Sequence, residues 1–546
     1  MTESATPVNL TSHQQAPYER RYRGLYTGIF VQDSWKVAHT FTFNAGVRYD
    51  MMSNFFSIYS PQLTKFTLGS GSTYNEQIAN GITGLSSSTH VLDHNVWGLG
   101  PRIGFSWDIF GTGKTALRGG VGIFSDQPPY LHITDITAGN LPNFYTPSLD
   151  VRQGTSPVFQ LCSPPSGFTE ACPIVDTSNV VLNSAGGVVG QRASLGGFSP
   201  NYKLTNVETW TLSVQQELPY NMLFELNYSG SAARHLPIYN QDLNRFAGDL
   251  VVNKGTLTRL NPNFNQVQYA TSDANSFGSY GSAMMARRFS HGLAFRGIYS
   301  WGKALDILSN AGSLDSGAVT GNSNGGQSSG PIFTNGDYAA QRGRADFDIR
   351  QQFSADGTWT VPNSYDAAWK RALFGGWLFG GVWLVQTGQP FTVYTTASFN
   401  PVFDSSGNVV GNTGGDYNAD GSNFDVPNVP SFGNHLVAQP RKAFLNGLFP
   451  GSAFPTPVPG VEGNLGRNTY DGPGYNNVDF TFEKLFHTPW FFGEKMQIEA
   501  KGEVTNLFNH ANLWGMNSDL SNPTLFGHST NQFPARYLQL HLRASF

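Results

Sequence analysis

The alternation of apolar and polar residues at every second position restricts the fold of this chain more than any other feature. The last ten residues read YLQLHLRASF. In an extended strand, one side of this segment would consist of Leu538, Leu540, Leu542, Ala544 and Phe546. The polar residues between them would face the other side, because successive side chains of a strand point to opposite faces. The segment is therefore predicted to be a strand with one apolar and one polar face.

The same period of two recurs along the whole chain, and helical periodicity is not evident in any segment. In QIEAKGEV, for example, charged residues lie between the apolar Ile498, Ala500 and Val504. The predicted strands are centred on residues 24–36, 41–52, 96–109, 115–124, 205–217, 222–228, 276–288, 293–302, 346–360, 376–395, 475–484, 496–508 and 533–546. The fold class predicted from this pattern is all-β, with about 13–14 strands.

The connections between these strands alternate between short turns and long loops. The long loops are predicted at residues 53–95, 125–204, 229–265, 303–345, 396–474 and 509–532. Such lengths are uncommon in compact domains, but here they fall on every second connection. An antiparallel meander with short turns at one end and long loops at the other is typical of a transmembrane β-barrel. We expect residues 1–24 to form a loop-like tail and residues 25–546 to form the barrel domain.

The composition fits a barrel in lipid better than a soluble fold. Charged residues make up 13% of the chain and aromatic residues 14%, whereas soluble domains have about 25% charged residues. A soluble sandwich, propeller or repeat array is the alternative, but charged faces on strand after strand would leave it without a dry core.

The net charge of −4 gives no reason to expect a nucleic-acid partner. No apolar run is long enough for a transmembrane helix, and the first residues lack the features of a secretory signal.

Eight segments, in family order from Tyr26 to Phe546, resemble the barrel domain of TonB-dependent receptors, specifically the Oar-like branch. They include YTGIFVQDSWKVAHTFTFNAGVRYD, PRIGFSWDIFGTGKTALRGGVGIF, RRFSHGLAFRGIYSWGKALD, GNLGRNTYDGPGYNNVDFTFEKLF and GEVTNLFNHANLW. The resemblance implies a bacterial outer-membrane location and a 22-stranded barrel that is closed by a plug domain. It also implies that TonB drives the import of a scarce small-molecule or glycan ligand, such as a metal chelate. A terminal aromatic residue, here Phe546, resembles the signal that the barrel-assembly machinery reads on the last strand.

The chain departs from this family in having no plug domain, no TonB box and too few strands. A complete barrel has an even strand count, with both ends in the periplasm. We therefore expect a C-terminal portion of a longer receptor that would at most be a passive pore by itself. The competing interpretation is a stand-alone barrel of 14 strands, with a missed strand within residues 125–204. A self-sufficient porin-like barrel and a surface adhesin or structural barrel are the alternative functions.

One loop segment has the pattern of a metal ligand set. In DYNADGSNFDVPN, Asp416, Asn418 and Asp420 precede Gly421 as at the start of an oxygen-rich calcium loop, with Asp425 as a further ligand. The bidentate Glu of an EF-hand is missing, because its position is occupied by Pro427. A polar Asx/Gly turn explains the same residues without a metal. No other cofactor is expected.

The two cysteines, Cys162 and Cys172, lie close together in the chain. A disulfide would suit an oxidising compartment, and two free thiols are the alternative. FGTGKT lacks the first Gly of a phosphate-binding loop and is predicted to be a turn. In ADFDIR, Asp346, Asp348 and Arg350 would share a strand face and form ion pairs. No triad or paired spacing is recognisable, so we do not expect an enzyme.

Overall fold

Within the described part of the chain, thirteen long strands form one antiparallel meander. The computed structural model describes residues 2–4, 7–16, 21–58, 63–85, 90–92, 94–127, 139–150, 176–309, 341–433, 439–487 and 497–545. The long strands are β1 (Tyr26–Ala38), β2 (Phe41–Met52), β3 (Val96–Asp108), β4 (Thr115–Asp126), β5 (Thr205–Leu218), β6 (Met222–Asp242), β7 (Phe264–Ser290), β8 (Leu293–Asp306), β9 (Gln351–Thr360), β10 (Trp377–Gln386), β11 (Tyr475–His487), β12 (Gln497–Thr505) and β13 (Tyr537–Ser545). Each pairs with the next along the chain. The predicted all-β fold and its antiparallel meander are confirmed.

The boundaries differ most between β6 and β7. The predicted loop 229–265 is too long. The strand β6 continues to Asp242 and β7 already begins at Phe264, so only residues 243–263 connect them. Their outer halves remain paired, but the register shifts at three places. Bulges of this kind interrupt the alternation, and residues on both faces of the extension, such as Tyr269 and Ala270, are buried. The alternation of apolar and polar residues is therefore lost in the outer halves of β6 and β7.

The register between neighbouring strands places apolar residues opposite apolar residues and polar residues opposite polar residues. Between β12 and β13, Ala500 lies opposite Leu542 on one face, and Glu499 lies opposite Arg543 on the other. Between β2 and β3, Phe43 likewise lies opposite Phe105. Because side chains alternate strictly along each strand, aligned pairs of this kind build one apolar and one polar surface.

The apolar surface is open to the surroundings. Several large side chains on it are more than half exposed, including Ile29 (68%), Trp301 (62%) and Leu542 (78%). Aromatic side chains stack across neighbouring strands, as Trp35 does on Phe43 with ring centroids 5.8 Å apart. A continuous apolar surface of this size is far larger than a monomeric soluble protein exposes. It matches the outward band of a barrel in lipid.

The buried core lies in the long loops and not between layers of sheet. One cluster contains Phe391, Val393, Phe449, Phe454 and Tyr470, among others, and joins the β10–β11 loop to the β12–β13 loop. Further clusters join the loops after β2, β4 and β6. The long loops therefore fold into a compact outer layer at one end of the sheet.

Short elements support this outer layer. The paired short strands are Thr2–Ser4 with Ser148–Asp150, Tyr22–Arg23 with Phe56–Ser57, Thr64–Thr67 with Ile82–Leu85, Pro390–Phe391 with Tyr470–Asp471, Pro401–Phe403 with Val409–Asn412, and Leu513–Met516 with Ser529–Gln532. Ala193–Phe198 pairs in parallel with β7, and Gly343–Arg344 pairs with β8. This layer also contains the helices Tyr74–Ala79, Asp249–Val252 and Arg441–Asn446, with a 3₁₀ turn at Gly451–Ala453. The helix Ala368–Phe374 lies instead in the β9–β10 connection, at the opposite end of the sheet. No helix in the described part of the chain could cross a bilayer.

The opposite end of the sheet carries the shorter connections, including the turns at residues 39–40, 109–114, 219–221 and 291–292. FGTGKT connects β3 to β4, as predicted for a turn, and Asp108 Oδ2 accepts a hydrogen bond from the Gly113 amide at 2.8 Å. Gly113 has a φ of +73°, a conformation that costs glycine little. The backbone conformation of the turn therefore explains its glycines, and a strand follows the turn where a phosphate-binding loop would have a helix.

The meander does not close within the described residues. There, β1 pairs only with β2, and β13 pairs only with β12. Both edge strands are long, and each leaves one row of backbone N–H and C=O groups without a strand partner.

Packing on the apolar surface gives a test of the register. Trp210 lies across the strand from Gly230, and a Cβ at Gly230 would come within 2.4 Å of its ring. We expect Gly230→Ala to lower the free energy of unfolding by about 1–3 kcal/mol through overpacking. The measurement is urea unfolding in detergent micelles, followed by far-UV circular dichroism.

The matched control is Gly281→Ala on the same face of β7. Its nearest neighbour would be the Trp301 carbonyl oxygen, 3.9 Å away, so we expect a change within about 0.5 kcal/mol. Equal effects of the two substitutions would contradict the described register.

Candidate functional site

A buried group of carboxylates lies in the outer layer, within the β10–β11 loop. The structure brings together the four predicted residues Asp416, Asn418, Asp420 and Asp425, each at most 1% exposed. Lone carboxylates are rarely buried so completely unless they are paired or bind a cation. This cluster is therefore the most distinctive candidate site in the described part of the chain.

The loop from Asp416 to Ser422 has a tightly wound backbone. Asp416 accepts hydrogen bonds from the amides of Asp420 and Gly421, both at 3.0 Å. Asp420 Oδ1 accepts from the Ser422 amide at 2.9 Å. Gly421 has a φ of +86°, which explains a glycine at this position. Both sequence interpretations, the Asx/Gly turn and the calcium loop, require a turn of this kind, so it does not decide between them.

A fourth carboxylate joins the cluster from a distant part of the loop. Glu462 Oε1 accepts a hydrogen bond from the Val426 amide at 2.8 Å, directly after Asp425. Asp425 Oδ2 in turn accepts from the Asn418 amide at 3.1 Å. Sequence reasoning missed Glu462, because 36 residues separate it from Val426 and no local motif marks it.

The electrostatics of the cluster are unbalanced. Burial, reinforced by the neighbouring Asp420, raises the pKa of Asp416 to about 7. Burial also raises the pKa values of Asp420, Asp425 and Glu462 above the usual carboxyl range. The nearest cation is Arg245, whose Nη1 lies 3.7 Å from Asp420 Oδ1. Arg245 is shared with Asp242 at 3.8 Å, so it does not neutralise the cluster.

Two carboxylate oxygens of the cluster have no hydrogen-bond partner. They are Asp420 Oδ2 and Glu462 Oε2, both inaccessible to solvent. Within the described residues, no three Asp, Glu, His or Cys side chains already hold their ligand atoms around one metal position. The cluster thus presents unused acceptors without being a closed cage of carboxylates.

A second buried network fixes the outer ends of the strands. Arg467, in the β10–β11 loop, donates to Asp306 at the end of β8 and to Asp346 before β9, the latter at 3.3 Å. Asn468 also donates to Asp346, at 2.7 Å. One arginine therefore joins three separate segments of the outer layer.

The predicted strand position of Asp346, Asp348 and Arg350 is wrong, because β9 begins only at Gln351. The three residues lie in the segment before it. The ion pairs do form there: Asp348 Oδ2 accepts from Arg344 at 2.8 Å and from Arg350 at 2.7 Å. The segment before β9 is thus a turn that is stabilised by charge pairs and not an alternating strand.

The other predicted site residues have less structural context. Cys162, Cys172 and Phe546 lie outside the described residues, so the disulfide and the terminal signal stay predictions. Along β13, every residue is exposed, including Leu538, Leu540, Leu542 and Ala544. These four occupy the apolar face of the edge strand.

The Arg467 network predicts a strong loss of stability on substitution. Arg467→Met would leave Asp306 and Asp346 buried without their cation, at 3% and 5% exposure. We expect the free energy of unfolding to fall by about 3–5 kcal/mol, measured by urea unfolding in micelles.

Arg296→Met is the matched control, because it removes an arginine from an exposed pair with Asp356 at 2.8 Å. We expect a loss below about 1 kcal/mol there. Similar losses in the two variants would show that the Arg467 network is not buried.

Comparison with solved structures finds similar folds over most of the chain. The ferric-catecholate import receptor Fiu of Escherichia coli K12 shares 12% identity at a TM-score of 0.38. The match covers 96% of this chain and 44% of the receptor chain. The FrpB iron transporter of Neisseria meningitidis shares 10% at 0.40 (96% and 46%). The Escherichia coli outer-membrane transporter YddB shares 9% at 0.43 (95% and 54%). The chain thus spans about half the length of these structures.

No curated protein matches the chain in sequence. The profile of the family described as "Outer membrane beta barrel domain" matches residues 6–539, which is almost the whole chain. The thirteen-strand meander, with its apolar and polar faces, has the architecture that this description requires. The chain therefore belongs to the outer-membrane β-barrel domain family and resides in the bacterial outer membrane.

Proposed function

We propose that this chain forms part of the wall of a TonB-dependent, Oar-like outer-membrane receptor that imports a scarce ligand. The observation that carries the proposal is a polar sheet face that ends in a thick, folded layer of outer loops. A passive pore needs no such layer, whereas a receptor needs an outer surface that is rigid enough to select a ligand.

The polar face supplies the lining of a wet interior. Arg296 and Asp356 form an ion pair across strands and are 55% and 45% exposed. Lys501 and Glu503 form another on β12. Charges of this kind are tolerated in a barrel wall only where water reaches them. A ligand that passes along this face would meet hydrogen-bonding groups over the depth of the sheet.

The open edges support a larger barrel. In lipid, each unpaired backbone N–H or C=O group costs several kcal/mol, so the free edges of β1 and β13 require further strands. Outer-membrane transporters with plugged interiors have about 22 strands. We infer that about nine strands, the plug and the TonB-contacting segment are supplied outside these 546 residues.

The remaining partners follow from the same proposal. The apolar face would contact outer-membrane lipid, and the C-terminal segment, whose last residue is Phe546, would be recognised by the barrel-assembly machinery. The imported ligand would be a metal chelate or a glycan. We propose no catalytic role for this chain.

The proposal predicts that DNA upstream of the Met1 codon continues the reading frame. It should encode a plug domain and about nine further alternating strands. Sequencing that region is the measurement. A stop codon followed by a ribosome-binding site directly before Met1 would contradict the proposal.

The chain alone should also give no steady conductance steps in planar bilayers, because its edges are open. A porin of known conductance in the same bilayer is the control. Regular single-channel steps from the 546-residue chain would instead favour the self-sufficient porin-like barrel. An upstream stop codon without conductance would favour the adhesin.

A further inference from the structure

We propose that Asp416, Asn418, Asp420, Asp425 and Glu462 form a calcium site that braces the outer loops. This inference goes beyond transport and does not depend on it. The site would be structural, since Asp416, Asp420 and Asp425 are buried within the folded loop layer.

The first support is an acceptor without a donor. Asp420 is fully buried, and its Oδ2 has no hydrogen-bond partner. Glu462 Oε2, at the same cluster, also lacks one. Buried carboxylate oxygens are nearly always satisfied by a donor or a cation, so two of them in one cluster indicate a missing positive ligand.

The second support is the charge balance. Among the described residues, four carboxylates share this site with one arginine contact, from Arg245, which also contacts Asp242. A divalent cation would offset two of the remaining charges. The competing state is a set of protonated carboxyls, which needs no metal and which the experiment below distinguishes.

The donor chemistry selects calcium among divalent ions. The cluster offers only oxygen ligands, namely carboxylates and the Asn418 side-chain amide oxygen. Calcium accepts six to eight oxygens in irregular geometry, whereas magnesium requires a near-ideal octahedron. No three Asp, Glu, His or Cys side chains of the described residues are arranged to hold a metal ion. A bound ion would therefore draw the carboxylates of this cluster closer together and complete its coordination with the Asn418 amide oxygen and water.

The surrounding contacts show what a bound ion would stabilise. Glu462 lies far along the chain from the Asp416–Gly421 turn, so the ion would cross-link two parts of the β10–β11 loop. The carbonyls of Asn418 and Ala419 accept hydrogen bonds from the amides of Gly248 and Leu250, at 2.6 and 2.9 Å. An ion that stabilises the turn would therefore also stabilise the β6–β7 loop.

Calcium titration of the full chain tests the proposal. The protein is folded in detergent, stripped with EDTA, dialysed and titrated with CaCl₂ by calorimetry. Terbium luminescence provides a second readout, since Tyr417 is 6% exposed and adjacent to Asp416. We expect saturable binding of about one ion per chain, with a Kd in the micromolar-to-millimolar range of extracellular and sensor sites.

Three variants assign the binding to this cluster. Asp420→Asn and Glu462→Gln keep the side-chain shape, and each should weaken binding by about tenfold or more. Asp404→Asn is the control: Asp404 also accepts two loop amides at 2.8 Å, from Ser406 and Asn408, but it is exposed. It should bind calcium as the wild type does.

The outcomes are decisive even where a variant misfolds. Absence of saturable binding to the wild-type chain overturns the proposal without any variant, and leaves the protonated cluster as the explanation. Unchanged affinity in folded Asp420→Asn or Glu462→Gln also overturns it. Equal displacement of calcium by the same concentration of Mg²⁺ overturns the assignment to calcium.

Discussion

The structure depends on the hydrogen-bonded register between consecutive antiparallel strands. A slip of one residue between two strands would move every apolar side chain of one strand to the polar face. The pairs Ala500–Leu542 and Glu499–Arg543 show the correct register at one edge, and Phe43–Phe105 shows it near the other. The lipid-facing surface and the wet face are both products of this alignment.

The strands could be predicted from the sequence, because the period of two is local and each strand carries it independently. The outer layer could not, because its core joins residues that are distant in the chain, such as Phe391 and Tyr470. The helix Tyr74–Ala79 did have a local signal, the capping box of Thr73 and Glu76. In the candidate site, the Asp416–Asp425 motif is local and was predicted, whereas Glu462 reaches it only through the fold.

The outer layer divides its stabilisation between apolar and charged clusters. The aromatic cluster around Phe449 fills the space between two loops, and Arg467 connects the end of β8 and the segment before β9 to the β10–β11 loop. Buried charges are costly unless paired, so such a network holds the loops in one arrangement. The carboxylates around Asp420 are the exception, with more negative charge than the described protein groups offset. A rigid outer layer of this kind suits a surface that selects ligands above a polar interior.

The most direct test of this account is a quenching scan along β12. In the full chain with Cys162 and Cys172 replaced by Ser, a fluorophore is attached to a single Cys at each position from 498 to 504, and the protein is inserted into lipid vesicles. The account predicts that a lipid-soluble quencher acts at positions 498, 500, 502 and 504. A water-soluble quencher should act at 499, 501 and 503. Quenching without this alternation would contradict a membrane-spanning sheet with one face in lipid and one in water.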